Sequence, residues 1–260
     1  MNRTPDHLRW PDPLEDLVDG LEHLTGIVVV DETDSTQDAL SRLDPAPGTV
    51  LVAGRQTGGR GRLGRQWADD QGTGIAVSLA VAAEAPALLC ARAAVAMAHA
   101  YLPLLAGSGV EAGIKWPNDL MVLDPRPRKL AGVLIEQVDE RAIIGIGVNV
   151  GARDWPAELA GTACSLEDAG ASIERLEAIT LLLRAWNDVA DKPEEVLRTA
   201  FTEVELLTGR RVVFEEGGNL HEGLVESVDP FSGVLLRTDR GLMHMPPDHA
   251  RMHAWSDLPD

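Results

Sequence analysis

The chain has 260 residues, of which 45% are hydrophobic and 25% are charged, and its formal net charge at pH 7 is −18. This length and composition are typical of a globular protein with one large and one small domain, and they exclude an extensively disordered chain. Because so acidic a surface repels phosphate backbones, we expect no nucleic acid among its partners.

The N-terminus and the cysteines indicate where such a protein would work. Acidic residues and prolines stand where a secretion signal needs an apolar run, and no stretch of about 18 apolar residues is apparent that would predict a transmembrane helix. We therefore expect a cytoplasmic protein that does not contact a membrane. Cys90 and Cys164 are far apart in sequence and have no metal-type neighbours, which predicts two free thiols.

Hydrophobic periodicity predicts the elements of the first two thirds of the chain. In chain order they are a short helix (14–24) in an N-terminal arm (1–25), a strand (27–30), a helix (37–43), a strand (49–53), a Gly/Arg loop (54–66), a strand (74–81), a long Ala-rich helix (86–105), and strands over 111–117, 120–123, 129–137 and 142–150. Because the last four strands are closely spaced, we expect them to pair as antiparallel hairpins.

The pattern changes after two further helices, over 172–190 and 193–207. Four short strands (211–214, 221–228, 233–237 and 242–245) are separated by turn signals and predict a small β-barrel. We place a domain boundary near Thr208, between a domain of residues 26–207 and one of residues 208–260. The fold class is therefore α+β, with a mixed, largely antiparallel sheet that carries helices on one side, followed by the small barrel.

The Gly/Arg loop is the strongest chemical feature. It contains Arg55-Gln-Thr-Gly-Gly-Arg-Gly-Arg-Leu-Gly-Arg65, with four arginines, four glycines and no acidic residue. Glycines let backbone N–H groups turn toward an anion, and arginines supply paired donors to phosphate or carboxylate. These residues favour an anion-binding loop that a ligand orders. A flexible solvated loop and an RNA-binding segment are the alternatives that the pattern leaves open.

The segment Lys115-Trp-Pro-Asn-Asp119 places a cation, an amide and a carboxylate at one end of a strand. Pro117 cannot lie inside a central strand, so the strand ends before it and a turn follows. Lys115 could then meet phosphate, and Asp119 could meet Mg²⁺. An ordinary hairpin turn would contain the same residue types, so this segment alone does not decide between the two.

Two of the predicted strands carry residues suited to a ligand. Lys129 begins an apolar strand, where it could neutralise a carboxylate and stabilise charge on a reacting phosphate, or simply extend into solvent. Gly145, Gly147 and Asn149 share one face of the next strand at period two. Two missing side chains in register would open a trough for a flat ligand, although they could equally accommodate a neighbouring helix.

The segment Asp34-Ser-Thr36 precedes a predicted helix directly after a strand. The hydroxyl groups of Ser35 and Thr36 and the free amides of the helix N-terminus could bind a polar ligand group. Capping of the helix would explain the same residues equally well.

Together, and in this order along the chain, these segments resemble the biotin protein ligase family. The resemblance covers residues 27–150 in detail, and the C-terminal region is similar to that family's SH3-like β-barrel in length and pattern only. It implies an ATP-dependent ligase that uses Mg²⁺, forms biotinyl-5′-AMP and transfers biotin to a lysine of the biotin carboxyl carrier domain of acetyl-CoA or another acyl-CoA carboxylase. It also implies a monomer or a homodimer.

The resemblance implies overlapping groups of site residues. Biotin contacts would come from Ser35, Thr36, Gln56, Gly59, Arg60, Arg62, Lys129, Gly132, Gly145 and Gly147. Contacts to ATP or the adenylate would come from Arg62, Arg65, Trp67, Lys115, Asn118, Lys129 and Asn149, and Asp119 would hold Mg²⁺. Lys129, Arg62 and Lys115 would act in catalysis, because they screen two anions that repel each other.

Two positions depart from the family pattern. Gln37 stands where the family usually has Asn, and it keeps the amide chemistry with one more methylene. Leu63 stands where a further Arg is frequent, which removes a charge from the Gly/Arg loop and should loosen its hold on the adenylate. Some family members carry an N-terminal DNA-binding module, but only residues 1–25 precede the first predicted strand, so we expect a monofunctional enzyme.

Two other functions remain open. A lipoate or octanoate ligase of related fold should show an Arg-Arg-x-Ser-Gly-Gly-Gly pattern, which this sequence does not contain. A non-catalytic biotin-binding regulator would have no use for Lys129 and Asp119, so their presence argues against that reading.

Overall fold

The computed structural model describes residues 5–61, 64–67, 71–247 and 249–256. The helices are a 3₁₀ helix (Asp6–Arg9), α1 (Pro11–Asp19), α2 (Thr36–Arg42), α3 (Pro86–Leu105), α4 (Arg175–Val189) and α5 (Glu194–Thr202). The first sheet contains β1 (Gly26–Thr33), β2 (Thr49–Gln56), β3 (Ile75–Ala82), β4 (Ala112–Lys115), β5 (Asp119–Leu123), β6 (Pro127–Val138) and β7 (Arg141–Val148). The second contains β8 (Arg211–Glu216), β9 (Asn219–Asp229), β10 (Gly233–Thr238), β11 (Gly241–Met245) and β12 (Ala250–Trp255).

The large sheet has the strand order β1-β2-β3-β7-β6-β5-β4. The pairs β4–β5, β5–β6 and β6–β7 are antiparallel hairpins, which confirms the expectation from their close spacing. β7 also pairs with β3, so it closes the sheet across the long α3 connection. β1 and β2 are parallel, with Ile27 opposite Val50. A parallel pair needs a connection that crosses one face of the sheet, and α2 provides it.

The two faces of the large sheet are covered differently. Val50 and Val52 on β2 belong to the main core, which packs against α1, α3, α4 and α5, whereas Leu51 points to the other face. There it forms a small cluster with Leu40 of α2 and Ala80 of β3. This alternation follows from the period of two in a strand. The expectation of helices on one side was therefore wrong for α2, because the parallel β1–β2 connection places it on the opposite face.

Helix α3 lies at the centre of the main core. Its 20 residues are long and apolar enough to cross a membrane, a property that the sequence analysis overlooked, but 67% of that segment is buried inside the protein. Tyr101 donates a hydrogen bond of 3.0 Å to the carbonyl of Ala178 and so joins α3 to α4. Burial raises the pKa of this phenol. These contacts are those of a core helix.

The second sheet is antiparallel, with the order β11-β10-β9-β8-β12, and confirms the predicted α+β class with a small C-terminal β-domain. Its apolar face buries Phe214, Val225 and Leu236. Phe214 lies with its ring centroid 6.1 Å from that of Trp116, so the second sheet packs against the end of β4. The sheet begins at Arg211, and the boundary near Thr208 stays a prediction.

Candidate functional site

A cavity of about 520 Å³ opens on the face of the large sheet that carries α2. This volume is within the usual range for sites that bind small molecules. The predicted site residues that line it are Ser35, Thr36, Gln56, Arg60, Arg65, Trp67, Lys115, Asn118, Asp119, Lys129, Gly132, Gly145, Gly147 and Asn149. Gly59 packs beneath Trp67 instead, and Arg62 lies outside the described residues, as does Leu63.

The floor of the cavity is the glycine face of β7. A Cβ atom added to Gly147 would lie 2.4 Å from the indole of Trp67, and one added to Gly145 would lie 2.3 Å from Oε1 of Gln37. The two side chains therefore rest directly on the strand backbone. The space over these two glycines is filled by the protein's own Trp67 and Gln37, and at Gly145 the missing side chain accommodates a residue of the neighbouring helix α2. The use of this strand as a trough for a ligand stays a prediction.

The ends of three neighbouring strands bring two lysines to one carboxylate. Lys115 ends β4 and pairs in register with Asp119, which begins β5. Oδ1 of Asp119 lies 2.6 Å from Nζ of Lys129 on β6, and Oδ2 lies 3.6 Å from Nζ of Lys115. A Cβ at Gly132 would lie 2.4 Å from Nζ of Lys129, so the missing side chain makes room for this ammonium group. Charges that the sequence separates by up to 14 positions thus form one cluster.

Two buried asparagine amides hold this cluster in place. Asn118 donates from Nδ2 to the carbonyl of Val133 at 2.8 Å, which fixes the turn between β4 and β5. Asn149 donates from Nδ2 to the carbonyls of Cys164 at 3.0 Å and Lys129 at 3.3 Å. Both amides therefore orient the strands that carry the lysines. Their contacts to ATP stay a prediction.

The N-terminus of α2 forms the polar end of the cavity. Ser35 caps the helix by accepting from the amide of Asp38 at 3.5 Å. Oε1 of Gln56 accepts from the backbone N–H of Thr36 at 2.8 Å and from its hydroxyl at 3.1 Å, and Ser78 donates to that hydroxyl at 2.9 Å. These groups are buried, so their hydrogen bonds fix the direction of each donor and acceptor. Sequence reasoning missed Ser78, because it lies inside an apolar strand.

Gln37 completes this end of the cavity. Its Nε2 donates to the carbonyl of Ile143 at 2.9 Å, while its Oε1 is buried and has no hydrogen-bond partner among the residues that the structure describes. Leaving a buried acceptor unpaired costs about 1–3 kcal/mol. The extra methylene relative to the family's usual Asn thus places an amide oxygen on the backbone of Gly145.

The described part of the Gly/Arg loop forms a short hairpin of residues 59–61 and 65–67, called the loop hairpin below. Arg60 bridges to Gln66, the amide of Gly61 donates to the carbonyl of Arg65 at 2.8 Å, and the amide of Trp67 donates to the carbonyl of Gly59 at 2.8 Å. Nζ of Lys129 lies 5.7 Å from the centroid of the Trp67 ring. The loop hairpin therefore covers the cavity beside the lysine cluster.

Arg60 makes contacts that sequence reasoning did not anticipate. It donates to both carboxylate oxygens of Glu136, at 2.7 and 2.6 Å, and to Asp38 at 2.7 Å. The hydrogen bond to Glu136, with smaller contributions from the charges of both acids, raises the pKa of Arg60. Asp38 and Glu136 lie on α2 and β6, too far apart in sequence for any local pattern to connect them with the loop.

The electrostatics of the cavity are opposite to those of the whole chain. Cationic side chains of Arg60, Arg65, Lys115, Lys129 and Arg251 line it, whereas Asp119 is the one carboxylate among the lining residues that the structure describes. The chain as a whole carries a formal net charge of −18. A local cluster of cations in an acidic protein attracts anionic ligands to this place rather than to the surface at large.

Asp119 also allows a test of whether the site suits Mg²⁺. This ion prefers oxygen ligands, and it is commonly held by one or two carboxylates together with substrate phosphates. A single carboxylate beside two lysines, whose charge suits the phosphates of a nucleotide, matches that donor set. The residues present therefore fit a magnesium ion that arrives with a nucleotide.

Two groups of lining residues were missed. Arg251, Met252, His253 and Trp255 come from β12, which was not predicted, although Ala-Arg-Met-His-Ala-Trp alternates as a half-buried strand does. Trp155, Leu159, Thr162 and Ala163 come from an irregular segment. That segment is held by a hydrogen bond of 2.7 Å from the amide of Lys129 to the carbonyl of Thr162. It has no periodicity that could have revealed it.

Comparison with known proteins places these features in a family. Residues 27–152 match the sequence model of the Biotin/lipoate A/B protein ligase family. The biotin–[acetyl-CoA-carboxylase] ligase of Paracoccus denitrificans is 30% identical over 233 residues, which cover 82% of this chain and 95% of the relative. The chain belongs to the biotin protein ligase family. The resemblance found in the sequence is thereby confirmed.

Other relatives match this chain over only part of their length. The bifunctional ligase/repressor BirA of Bacillus spizizenii is 33% identical over 198 residues, 72% of this chain and 58% of the relative. The biotin–[acetyl-CoA-carboxylase] ligase of Mycobacterium tuberculosis is 37% identical over 166 residues, 60% of each protein. The matched region thus spans about three fifths of the length of these two relatives.

A solved structure in the family shares the whole architecture. The biotin protein ligase from Aquifex aeolicus in complex with biotin and ATP has a TM-score of 0.76 and 27% identity. The match covers 89% of this chain and 100% of that one. This coverage extends beyond residues 27–152 into the C-terminal β-domain, which the sequence resemblance reached only by length and pattern.

Proposed function

We propose that this chain is an ATP-dependent ligase that forms biotinyl-5′-AMP and transfers the biotin to a lysine of a carrier protein. The observation that supports this most directly is the position of Lys129. Its ammonium group lies at the centre of one cavity, between the carboxylate of Asp119 and the indole that covers the glycine floor. A carboxylate and a phosphate that meet there would both be close to positive charge.

The first half-reaction needs alignment rather than a covalent nucleophile on the protein. A carboxylate oxygen of biotin attacks the α-phosphorus of ATP, the bond between the α-phosphorus and the bridging oxygen to the β-phosphorus breaks, and pyrophosphate leaves. Because both reactants are anions, their approach is opposed in water. Lys129 and Lys115 from the cluster, with Arg62 from the loop, would screen them and stabilise the charge that develops.

The ring system of biotin would occupy the polar end of the cavity. Ser35, Thr36 and Gln56 offer directed hydrogen-bonding groups there, and a flat ligand on the backbone of Gly145 would take the place that the Gln37 amide fills in the free protein. Gly59, Gly132 and Gly147 would contribute further contacts to biotin. Arg65, Trp67, Asn118 and Asn149 would lie against the adenylate. In this placement the biotin carboxylate would point toward Lys129, which lines the same cavity.

Asp119 would hold Mg²⁺ when the nucleotide is present. A magnesium ion there would neutralise charge on the leaving pyrophosphate. The two lysines would then be free of Asp119 and available to the substrates. Binding of the nucleotide would thus change which groups Lys115, Lys129 and Asp119 contact.

The second half-reaction transfers the acyl group. The neutral amine of a carrier lysine attacks the carbonyl carbon of the mixed anhydride, the bond to the AMP oxygen breaks, and AMP leaves while the amine loses a proton. Until then the anhydride must be shielded from water. The loop hairpin, with Trp67 on the cavity floor, is placed to provide that shield and must shift to admit the carrier.

The partner and the location follow from the same proposal. The Paracoccus and Mycobacterium relatives are named for acetyl-CoA carboxylase, so a biotin carboxyl carrier domain of acetyl-CoA or another acyl-CoA carboxylase is the proposed acceptor. We propose that the chain acts in the cytoplasm as a monomer or homodimer, without nucleic acid or a membrane as partner. Its acidity supports the absence of nucleic acid.

One rival deserves the same test, because the matching family model covers lipoate as well as biotin ligases. We would measure exchange of labelled pyrophosphate into ATP with Mg²⁺ and either biotin, lipoate or octanoate. Exchange with biotin alone is the expected result. Exchange with lipoate or octanoate would move the chain to the rival acyl ligase. No exchange with any of the three would overturn the ligase and favour a biotin-binding regulator.

A further inference from the structure

The guanidinium group of Arg60 is held by two carboxylates from different parts of the fold. Nη1 and Nη2 donate to the two oxygens of Glu136 at 2.7 and 2.6 Å, and Nη2 also donates to Asp38 at 2.7 Å. Glu136 lies on β6 of the large sheet, and Asp38 lies in the first turn of α2. One side chain of the loop hairpin is thus tied to both the sheet and the helix that frame the cavity.

The ion pairs of Arg60 lie in the same hairpin as Trp67, the residue that covers the cavity floor. Arg60 pairs with Gln66 across the loop hairpin. Next to this pair, the amide of Trp67 donates a hydrogen bond to the carbonyl of Gly59. Trp67 in turn rests on Gly147. A displacement of Arg60 from its carboxylates would therefore displace the strand that carries Trp67.

The entry of the Gly/Arg loop is fixed separately, which isolates the effect of Arg60. Backbone hydrogen bonds join Thr57 to Thr33 at 2.9 Å and Gly58 to Asp34 at 2.8 Å. These bonds hold the loop where it leaves β2, but they precede the hairpin. Within the described part of the loop, Arg60 is the residue that carries a side-chain ion pair from the hairpin to the sheet.

The geometry of the contact suits a structural tie. The two oxygens of Glu136 accept parallel bonds from the planar fork of the guanidinium, an arrangement that fixes orientation as well as distance. The side chains of Arg60, Glu136 and Asp38 are 39%, 39% and 40% exposed, so each pair alone is screened by solvent. Three charge-assisted bonds on one group nevertheless act together.

We infer that Glu136 and Asp38 are positioning residues, which hold Arg60 and thereby keep the loop hairpin docked with Trp67 over Gly147. In this assignment Arg60 fixes the cover of the cavity, rather than binding the carboxylate of the ligand. The inference concerns docking of the loop in the free protein, and only its consequence for biotin rests on the proposed function. Docking and catalysis can therefore be measured apart.

Limited proteolysis tests the docking. Trypsin can cut after Arg60 and Arg65, and a docked hairpin resists it. We expect the Glu136→Gln and Asp38→Asn variants to raise the rate of cleavage at these two bonds by about threefold each and by roughly tenfold together, as expected for partly screened ion pairs. The matched control is Glu32→Gln, which removes the carboxylate partner of Arg55 at the start of the loop, before the loop hairpin. Unchanged cleavage in the double variant would overturn the inference.

Kinetics separate a positioning role from ligand binding. If the hairpin must be docked for tight binding, the double variant raises the KM for biotin in pyrophosphate exchange by about the same factor as the loss of docking, with little change in kcat. Arg60→Gln should match it, adding Glu136→Gln to Arg60→Gln should change nothing more, and Arg60→Lys should recover part of the affinity. If only the Arg60 variants raised KM, Arg60 would be a direct ligand and the inference would be wrong. Absence of any exchange in the wild type would overturn the proposed function and leave the proteolysis result standing.

Discussion

Asp119 forms an ion pair with Lys129 at 2.6 Å and faces Lys115 at 3.6 Å, so two lysines that line the cavity share one carboxylate. The cluster thus holds the lysines in place before any anion arrives. A carboxylate or phosphate that enters must replace Asp119 as their partner. The same replacement would leave Asp119 available to a divalent cation. The ion pairs of Asp119 would therefore change when the nucleotide binds.

The ion pair makes Lys129 the first position to change. We expect Lys129→Ala to lower kcat/KM for biotin-dependent pyrophosphate exchange by at least about 100-fold, as is typical when a group that stabilises developing charge is removed. Lys192→Ala is a suitable control, because that lysine is exposed and contacts only its neighbour Asp191 among the pairs that the structure describes. Turnover close to that of the wild type would remove Lys129 from the mechanism.

The two thiols should differ in reactivity. Burial raises the pKa of Cys164 to about 12, while Cys90 is partly exposed. Since the thiolate is the reactive form, only about one Cys164 side chain in 10⁴ would be reactive at pH 8. We expect iodoacetamide to label Cys90 in the folded protein and Cys164 only after unfolding, as read by peptide mass spectrometry.

A pH series and a variant sharpen that measurement. Raising the pH toward 9 should leave folded Cys164 protected, because burial raises the pKa of its thiol and keeps it protonated. The Cys90→Ser variant should show almost no labelling until urea is added. The amide of Cys164 donates a hydrogen bond of 3.0 Å to the carbonyl of Lys129. Rapid labelling of folded Cys164 would show that this segment opens readily.

Local sequence rules predicted much of the fold. The bounds of α3 agree with the prediction at both ends, since Pro86 favours the first turn and the chain turns at Gly107, which has a positive φ. The hairpins from β4 to β7 followed from their short links. The glycine face of β7 followed from its period of two, and it does form the cavity floor. Each of these features is decided by residues that are close in sequence.

The other features of the fold and the site depend on contacts between residues that are far apart in sequence, which no local pattern can predict. Arg60 and Glu136 are 76 positions apart, and only the fold shows that they meet. The pairing of β7 with β3 likewise joins residues as far apart in sequence as Ala76 and Gly147. Trp67 was assigned to the adenylate through the family, but no local pattern indicates that it rests on Gly147. β12 is different, because the alternation of its apolar and polar residues is visible in the sequence and could have predicted the strand.

The contact between Trp116 and Phe214 should matter for stability, because it joins the two sheets. Both rings are almost fully buried, with 1% and 0% of their surfaces exposed. We expect Phe214→Ala to lower the free energy of unfolding by about 3–5 kcal/mol, the usual cost of an emptied aromatic site. Leu242→Ala in the same domain is the control, because that side chain is 59% exposed. Urea unfolding measures both, and equal effects would contradict the assigned packing.

The two floor glycines should respond unequally to the same added methyl group. At Gly147 the new Cβ would meet the rigid ring of Trp67 at 2.4 Å, whereas at Gly145 it would meet the end of the flexible Gln37 side chain at 2.3 Å. Gln37 can turn aside, but the indole can leave only if the loop hairpin moves with it. Gly147→Ala should therefore undock the loop, and Gly145→Ala should not.

Biotin affinity and proteolysis together check this difference. Overpacking at a rigid site costs about 1–3 kcal/mol, so we expect Gly147→Ala to raise the KM for biotin by roughly 5- to 150-fold and to speed tryptic cleavage after Arg65. Gly145→Ala should leave cleavage unchanged, and Trp67→Ala combined with Gly147→Ala should add little to Trp67→Ala alone. A larger effect of Gly145→Ala on cleavage would mean that Gln37, rather than Trp67, supports the loop.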